Sequence, residues 1–200
     1  MKYLHLIWAA LMRSKTRTLL TMLSVVAAFL LFGMLDSVRV AFNSSANVAG
    51  YDRMIVASRL SITQSLPISI VDRVQAVPGV KGVAYANWFG GIYQDSKNFF
   101  PNFAIGPGYM AMYPEYAMTP AQIKAFENER TGAVVGKSLA ERHGWKVGDT
   151  IPLQATIFPT KGSNNWTFKL AAIFEVKDAK RKGEENVLMF NWKYFDEAND

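Results

Sequence analysis

The hydrophobic pattern of this chain passes through three regimes. Near the start, Leu4, Ile7, Trp8, Leu11 and Met12 recur at i, i+3, i+4, i+7 and i+8, the stripe of an amphipathic helix, with Lys2, His5 and Arg13 largely off it. From Thr18 to Leu35 that periodicity gives way to eighteen consecutive uncharged residues, TLLTMLSVVAAFLLFGML. As a helix they reach roughly 27 Å, close to the hydrocarbon thickness of a bilayer. Ten of them are Leu, Val or Phe. At about 0.3 to 0.6 kcal/mol each, these favour insertion by roughly 3 to 6 kcal/mol before Thr, Ser and Gly subtract from it. A membrane span running through Thr18, Leu19, Leu23, Val26, Phe29, Leu31 and Leu35 is therefore expected.

Downstream, short alternating runs are interspersed with short helical ones. Tyr51 to Ser58 (YDRMIVAS) is rich in β formers and reads as the first strand. Ser69 and Asp72 give a capping-box-like start to a helix with Ile70, Val71, Val74 and Val77 on one face, stopped by Pro78-Gly79. Val80 to Tyr93 predicts a strand broken at Gly90-Gly91, and Phe99 to Ile105 and Tyr109 to Met112 predict two more. Thr119 is a good N-cap and Pro120 a good first helical residue, so Ala121 to Arg130 is helical. Ala133 to Val135 is a short strand, Ser138 to His143 a helix ending at Gly144, and Val147-Gly148-Asp149 a turn. Thr150 to Ile157, Trp166 to Val176 and Asn186 to Phe190 complete the strands of an α+β domain. The polar, small-residue stretch Asn43 to Gly50 (NSSANVAG) is the natural boundary. The expected division is residues 1–17 as a cytoplasmic or interfacial helix, 18–38 as the span and 39–200 as the outer domain.

Charge sets an orientation. Arg13, Lys15 and Arg17, with Lys2 and the amino terminus, precede the span, whereas Asp36 and a single Arg39 follow it. The positive-inside rule then places residues 1–17 in the cytoplasm and everything after about residue 38 outside, with Tyr3 and Trp8 at headgroup depth as interfacial anchors in the membrane lipid. A cleavable signal peptide is the competing reading, but the small residues Ser44 to Ala46 come late for its cleavage site. The formal charge of +6 points toward nucleic acid only until the four basic residues before the span are set aside, which leaves residues 18–200 at +2. No nucleic-acid partner is expected. Without cysteine there are no disulfides and no Cys-ligated metals, so the outer domain needs an ordinary core. Within the span, Thr21, Ser24 and Ala28 share one face where small side chains allow a second helix to approach.

Candidate chemistry is sparse. Gly132-Ala-Val-Val-Gly136-Lys137-Ser138 looks like a phosphate-binding loop, but that motif needs four residues between its glycines and this chain has three, all strand formers. His5 and His143 are expected on opposite sides of the membrane, and His143 at a helix C-terminus reads as a partly exposed, dipole-stabilised side chain. No nucleophile elbow or HExxH pattern occurs. Catalytic residues, cofactor sites and metal sites are all expected to be absent. The run Lys177 to Glu185 (KDAKRKGEE) reads as a solvated hairpin tip. Trp88-Phe89, Phe99-Phe100 and the Tyr109, Tyr113, Tyr116 cluster read chiefly as packing residues.

The order ALMRSKTRTLLTMLSVVAAFLLFGML, then SLPISIVDRVQAVPGVKGVAYANW, then TGAVVGKSLAERHGWKVGDTIPLQ resembles ABC transporter permeases of the MacB and FtsX kind. The most specific element is Ala133 to Asp149, with its strand, "VVG", "LAERHG" helix and "VGD" turn; the Pro78-Gly79-Val80 helix stop is a second. The resemblance implies an inner-membrane subunit with a MacB-like periplasmic core domain. It implies a homo- or heterodimeric permease partner, a separate ATPase subunit on the cytoplasmic side, and contact with a periplasmic adaptor or substrate. Motion driven by the ATPase would pass through the spans, a mode called mechanotransmission. Such permeases carry three further spans, and no second apolar run follows here, so the sequence is read as an amino-terminal portion ending inside the core domain. The alternative is a single-pass, signal-anchored periplasmic binding or sensor domain.

Overall fold

The uncharged run lies within one helix, α1 (Lys15–Val48), in a computed structural model that describes residues 13–48, 53–61, 64–160 and 163–199. The helix continues through Asn43–Val48, so small polar residues that read as a separator prolong it instead. The chain divides between Ile55 and Val56 into two units.

In the second unit the elements are α2 (Ile70–Gln75), β1 (Ala86–Trp88), β2 (Asn102–Ile105), β3 (Tyr116–Ala117), α3 (Pro120–Asn128), β4 (Gly132–Gly136) and α4 (Lys137–His143), followed by β5 (Thr150–Gln154), β6 (Asn165–Val176), β7 (Leu188–Asn191) and α5 (Trp192–Asn199). The strands form one mixed sheet in the order β1-β2-β7-β4-β6-β3, with β5 also on β6. Strand β4 lies at its centre, parallel to β6 and antiparallel to β7. All five of its residues are buried, which is why it reads as an unbroken apolar run rather than an alternating one.

Strand β6 alternates strictly, burying Trp166, Phe168, Leu170, Ala172, Phe174 and Val176. Its partners on β4 step from Ala133↔Leu170 to Val134↔Ala172, so β6 advances two residues while β4 advances one. This bulge turns the strand over. Trp166, Phe168 and Leu170 join a core with Phe89, Phe100, Leu139, Phe190 and Phe195, whereas Ala172, Phe174 and Val176 join a second core with Ile105, Met110, Phe126 and Met189. One strand thereby supplies both hydrophobic layers.

Several expected elements differ. Residues 53–58 of the Tyr51 to Ser58 strand are irregular, and Met54 and Ile55 are almost fully exposed; Tyr51 and Asp52 lie outside the described residues. Without a neighbouring strand to bond, β propensity alone fixes no ladder. Tyr109 to Met112 ends in a 3-10 turn (Met110–Met112), because Gly108, at φ +75°, and the stacked rings of Tyr109 and Tyr113 curl the chain. The long Val80 to Tyr93 strand shrinks to Ala86–Trp88. Ser69 makes no side-chain cap, its backbone already being helical, whereas Thr119 forms a full capping box in which its Oγ1 accepts from Gln122 N–H at 3.3 Å and Gln122 Oε1 accepts from Thr119 N–H at 2.8 Å. Helix α5 was not anticipated; it seats Phe195 in the first core and pairs Glu197 with Arg130.

Candidate functional site

The apolar surface of α1 is the first candidate. Along Lys15–Val40 the mean hydropathy is 2.3, and none of the apolar window is buried by the rest of the described protein. Leu19, Leu23, Val26, Phe29, Leu31 and Leu35 are all exposed, and Thr18 is half-buried. A helix that forms the core of a water-soluble domain would bury such a face. Three of its hydroxyls are satisfied within the helix: Thr21 Oγ1 donates to the Arg17 carbonyl at 2.9 Å, Ser24 Oγ to the Thr21 carbonyl at 2.8 Å and Ser37 Oγ to the Gly33 carbonyl at 2.8 Å. This suits a medium without water, where an unpaired donor costs several kcal/mol. Arg13, Lys15 and Arg17 are exposed at the start of the helix. Tyr3, Trp8 and the whole Leu4 to Met12 stripe lie outside the described residues.

The segment resembling a phosphate-binding loop holds an internal anion instead. Gly132–Gly136 is the buried β4, and the carboxylate of Glu185 sits at the start of α4. Glu185 is 1% exposed and accepts from Ser138 Oγ at 2.5 Å, Ser138 N–H at 3.2 Å, Val176 N–H at 2.7 Å and Lys182 Nζ at 2.8 Å. Burial alone would raise its pKa. The Lys182 ammonium and the Ser138 and Val176 hydrogen bonds outweigh that and bring it down to about 2. A Cβ on Gly136 would lie 2.1 Å from the Glu185 carbonyl oxygen, so only glycine permits this approach. Lys182 and Lys137 also share the Glu175 carboxylate, at 3.2 and 3.3 Å.

The charge run 177–185 is therefore not a solvated hairpin tip. It contains a 3-10 helix, Ala179–Glu185, and the strands it connects are separated by β4. Its Arg181 is mostly buried and donates from Nε to Glu184 at 2.6 Å and from Nη2 to Glu184 and Glu115 at 2.9 and 3.0 Å. Tyr116, stacked on Tyr113 and tilted against Phe174, has its phenol pKa raised by burial and then by Glu184. These side chains tie the 3-10 segment to the loop before β3. Elsewhere, the buried Asn102 grips the Gly90-Gly91 corner, with Oδ1 accepting from Gly91 N–H at 2.7 Å and Nδ2 donating to the Gly91 and Phe100 carbonyls at 2.8 Å.

His143 is partly exposed at the end of α4, as expected, but its surroundings do not stabilise its charge. Its ring stacks on Trp145 (4.6 Å between centroids, 22°) and meets Tyr93 edge-on at 5.2 Å. Burial, followed by repulsion from Arg142, lowers its pKa rather than the helix terminus raising it. The expected packing residues Phe89 and Phe100 are fully buried, Phe89 at the centre of a ring of edge-on contacts with Trp166, Phe168 and Phe190. Among the described residues no group of three or more His, Asp or Glu is arranged to hold a metal ion. Two surface hollows of about 680 and 520 Å³ are open troughs, one beside Gln154 and Asn165, the other beside Tyr116 and Met118.

Among the described residues, one candidate membrane anchor, an uncovered apolar helix, is followed by a mixed-sheet α+β domain. Residues 18–197 match the MacB-like periplasmic core domain, and the chain belongs to that family. The family is a permease periplasmic domain and not a catalytic one. Similar solved structures include a domain described as a permease protein from Porphyromonas gingivalis, at 15% identity and a TM-score of 0.42, covering 62% of this chain and 55% of that one. The periplasmic region of MacB from Actinobacillus actinomycetemcomitans is 12% identical with a TM-score of 0.39, covering 66% and 57%. The extracellular domain of the noncanonic ABC-type transporter YknZ from Gram-positive bacteria is 13% identical with a TM-score of 0.40, covering 72% and 73%. This chain thus spans little more than half the length of the first two. No curated protein matches it.

Proposed function

We propose that this chain supplies the first membrane anchor and the periplasmic core of a MacB/FtsX-type ABC transporter permease in a bacterial inner membrane. Membership of the MacB-like periplasmic core family across residues 18–197, together with a candidate span, α1, that is bare along its apolar window, supports the reading. Residues 1–17 stay in the cytoplasm under Arg13, Lys15 and Arg17, with Tyr3 and Trp8 at the headgroups, residues 18–38 cross the bilayer, and 39–200 fold outside. ATP hydrolysis belongs to a separate subunit, whose motion α1 carries to the outer domain together with a homo- or heterodimeric permease partner. The sheet, cross-linked at Glu185 and Arg181, suits the outer domain to move as a unit while it exports or extracts substrate or engages an adaptor.

Two measurements test this. Protease added to spheroplasts should degrade the Asp52–Asp200 region and spare the N-terminus; the reverse pattern overturns the orientation. Affinity purification of the full-length gene product should bring down an ABC ATPase. Recovery with no ATPase, in a correctly oriented protein, favours a single-pass anchored binding or sensor domain.

A further inference from the structure

The loop between β1 and β2 carries a backbone outlier. Gln94 has φ +58°, the one non-glycine residue with positive φ among the described residues. The left-handed region is sparsely used by residues with a Cβ and persists only where the surroundings hold it. Here the chain also tightens, with Asp95 N–H donating to the Tyr93 carbonyl at 2.6 Å. Gln94 is itself exposed and donates from Nε2 to Tyr93 Oη at 3.1 Å; the turn is held between the Ile92–Gln154 backbone pair (2.9 and 2.8 Å) and Tyr93, which packs edge-on against His143 at 5.2 Å and Trp145 at 5.0 Å. Phe100, at the other end of the loop, closes on the same two rings at 5.9 Å each. Four rings from the loop and the C-terminus of α4 thus form one box, and the imidazole is its only member that gains a charge near neutral pH.

We propose that this box is an acid-sensitive latch: protonating His143 loosens Tyr93 and lets the strained turn at Gln94 open, mobilising the loop from Tyr93 to Phe99. The charged group set against the imidazole is Arg142, from its own helix, and it repels the protonated form. The elements packed on His143 from outside that helix present Tyr93, Phe100 and Trp145, which carry no charge at neutral pH. No carboxylate among the described residues is set against the ring to stabilise the imidazolium. Burial also disfavours the charged form, and His143 accordingly titrates below its ordinary value. A group whose folded pKa is depressed contributes stability above its unfolded pKa and loses it as the pH falls through the folded value. The latch is closed above about pH 6.5 and weakens below it. Opening would free Phe99, already half exposed and 6.0 Å from Trp88, to present an apolar surface.

Hydrogen exchange on the full chain in detergent reads this directly when each amide is normalised to its intrinsic rate. Between pH 7 and pH 5 the protection of amides 93–98 should fall by about threefold or more while that of β6 amides holds, the signature of local opening. His143→Phe keeps a stacked ring without a proton and should remove the difference. Loop protection independent of pH in the wild type overturns the latch, as does an acid response that survives in His143→Phe. If that variant does not fold, NMR of the two histidines decides. A loop transition that shares the His143 midpoint supports the latch, and one displaced from it by a full pH unit refutes it.

Discussion

Glu185 shows how one side chain can hold an entire corner. Its carboxylate satisfies the start of α4 and the end of β6 together, and Gly136 makes room for its backbone. Glu185→Ala should cost about 3 kcal/mol or more in a denaturation experiment, because the Ser138 and Val176 N–H groups are left without acceptors. Glu185→Gln, which keeps one acceptor oxygen, should cost less. The depressed pKa makes the same bond pH-dependent: its contribution, on the order of 3 kcal/mol, is complete above about pH 4.5 and is lost as the pH falls toward 2. An acid titration of stability in Glu185→Gln should lack that step. None of this was legible in the sequence. The glycine spacing of Gly132 to Ser138 read as strand rather than loop, which β4 is, but Glu185 lies 47 residues from Ser138, and a charge run gives no sign of which member folds inward.

At the scale of elements, legibility followed burial on one face or two. Strand β6 and helix α3 were readable because alternation and an N-cap are local signals, and β4 because a strand covered on both faces loses its polar positions. Short pieces whose conformation is set by neighbours were not, as with Tyr109 to Met112 and the Tyr51 to Ser58 stretch. The β6 bulge was invisible too, since the pattern stays strictly alternating while the strand changes face. Phe174 sits on the far side of that change, fully buried against Tyr116 at 4.8 Å. Phe174→Ala should destabilise the domain by about 3 to 5 kcal/mol, measured by chemical denaturation. For α1 the controlling signal is charge: replacing Arg13, Lys15 and Arg17 together by Glu should invert or scramble the orientation in a protease-accessibility assay.

For the molecule as a whole, the sequence held the plan, a greasy helix and then an α+β head, because hydropathy and family motifs are both properties of long stretches. The same scale supplies a plain biochemical expectation. The intact polypeptide should sediment with membranes, resist extraction by high salt and alkali, and come into solution with detergent; quantitative release by salt alone would mean that α1 does not anchor it. Sheet order has a different bearing, on when the head can form. Strand β7, made of residues 188–191, lies between β2 and β4, so the strands near the front of the domain have no scaffold to join until nearly the last residues described have been synthesised. A chain emerging N-terminus first can pair β4 with β6, but must hold Phe103 and Ile105 of β2 apart from that sheet until β7 arrives. Joining of the two parts of this sheet is thereby a late, collective event, and its window of vulnerability to sticking and to proteases is set by the time taken to deliver β7.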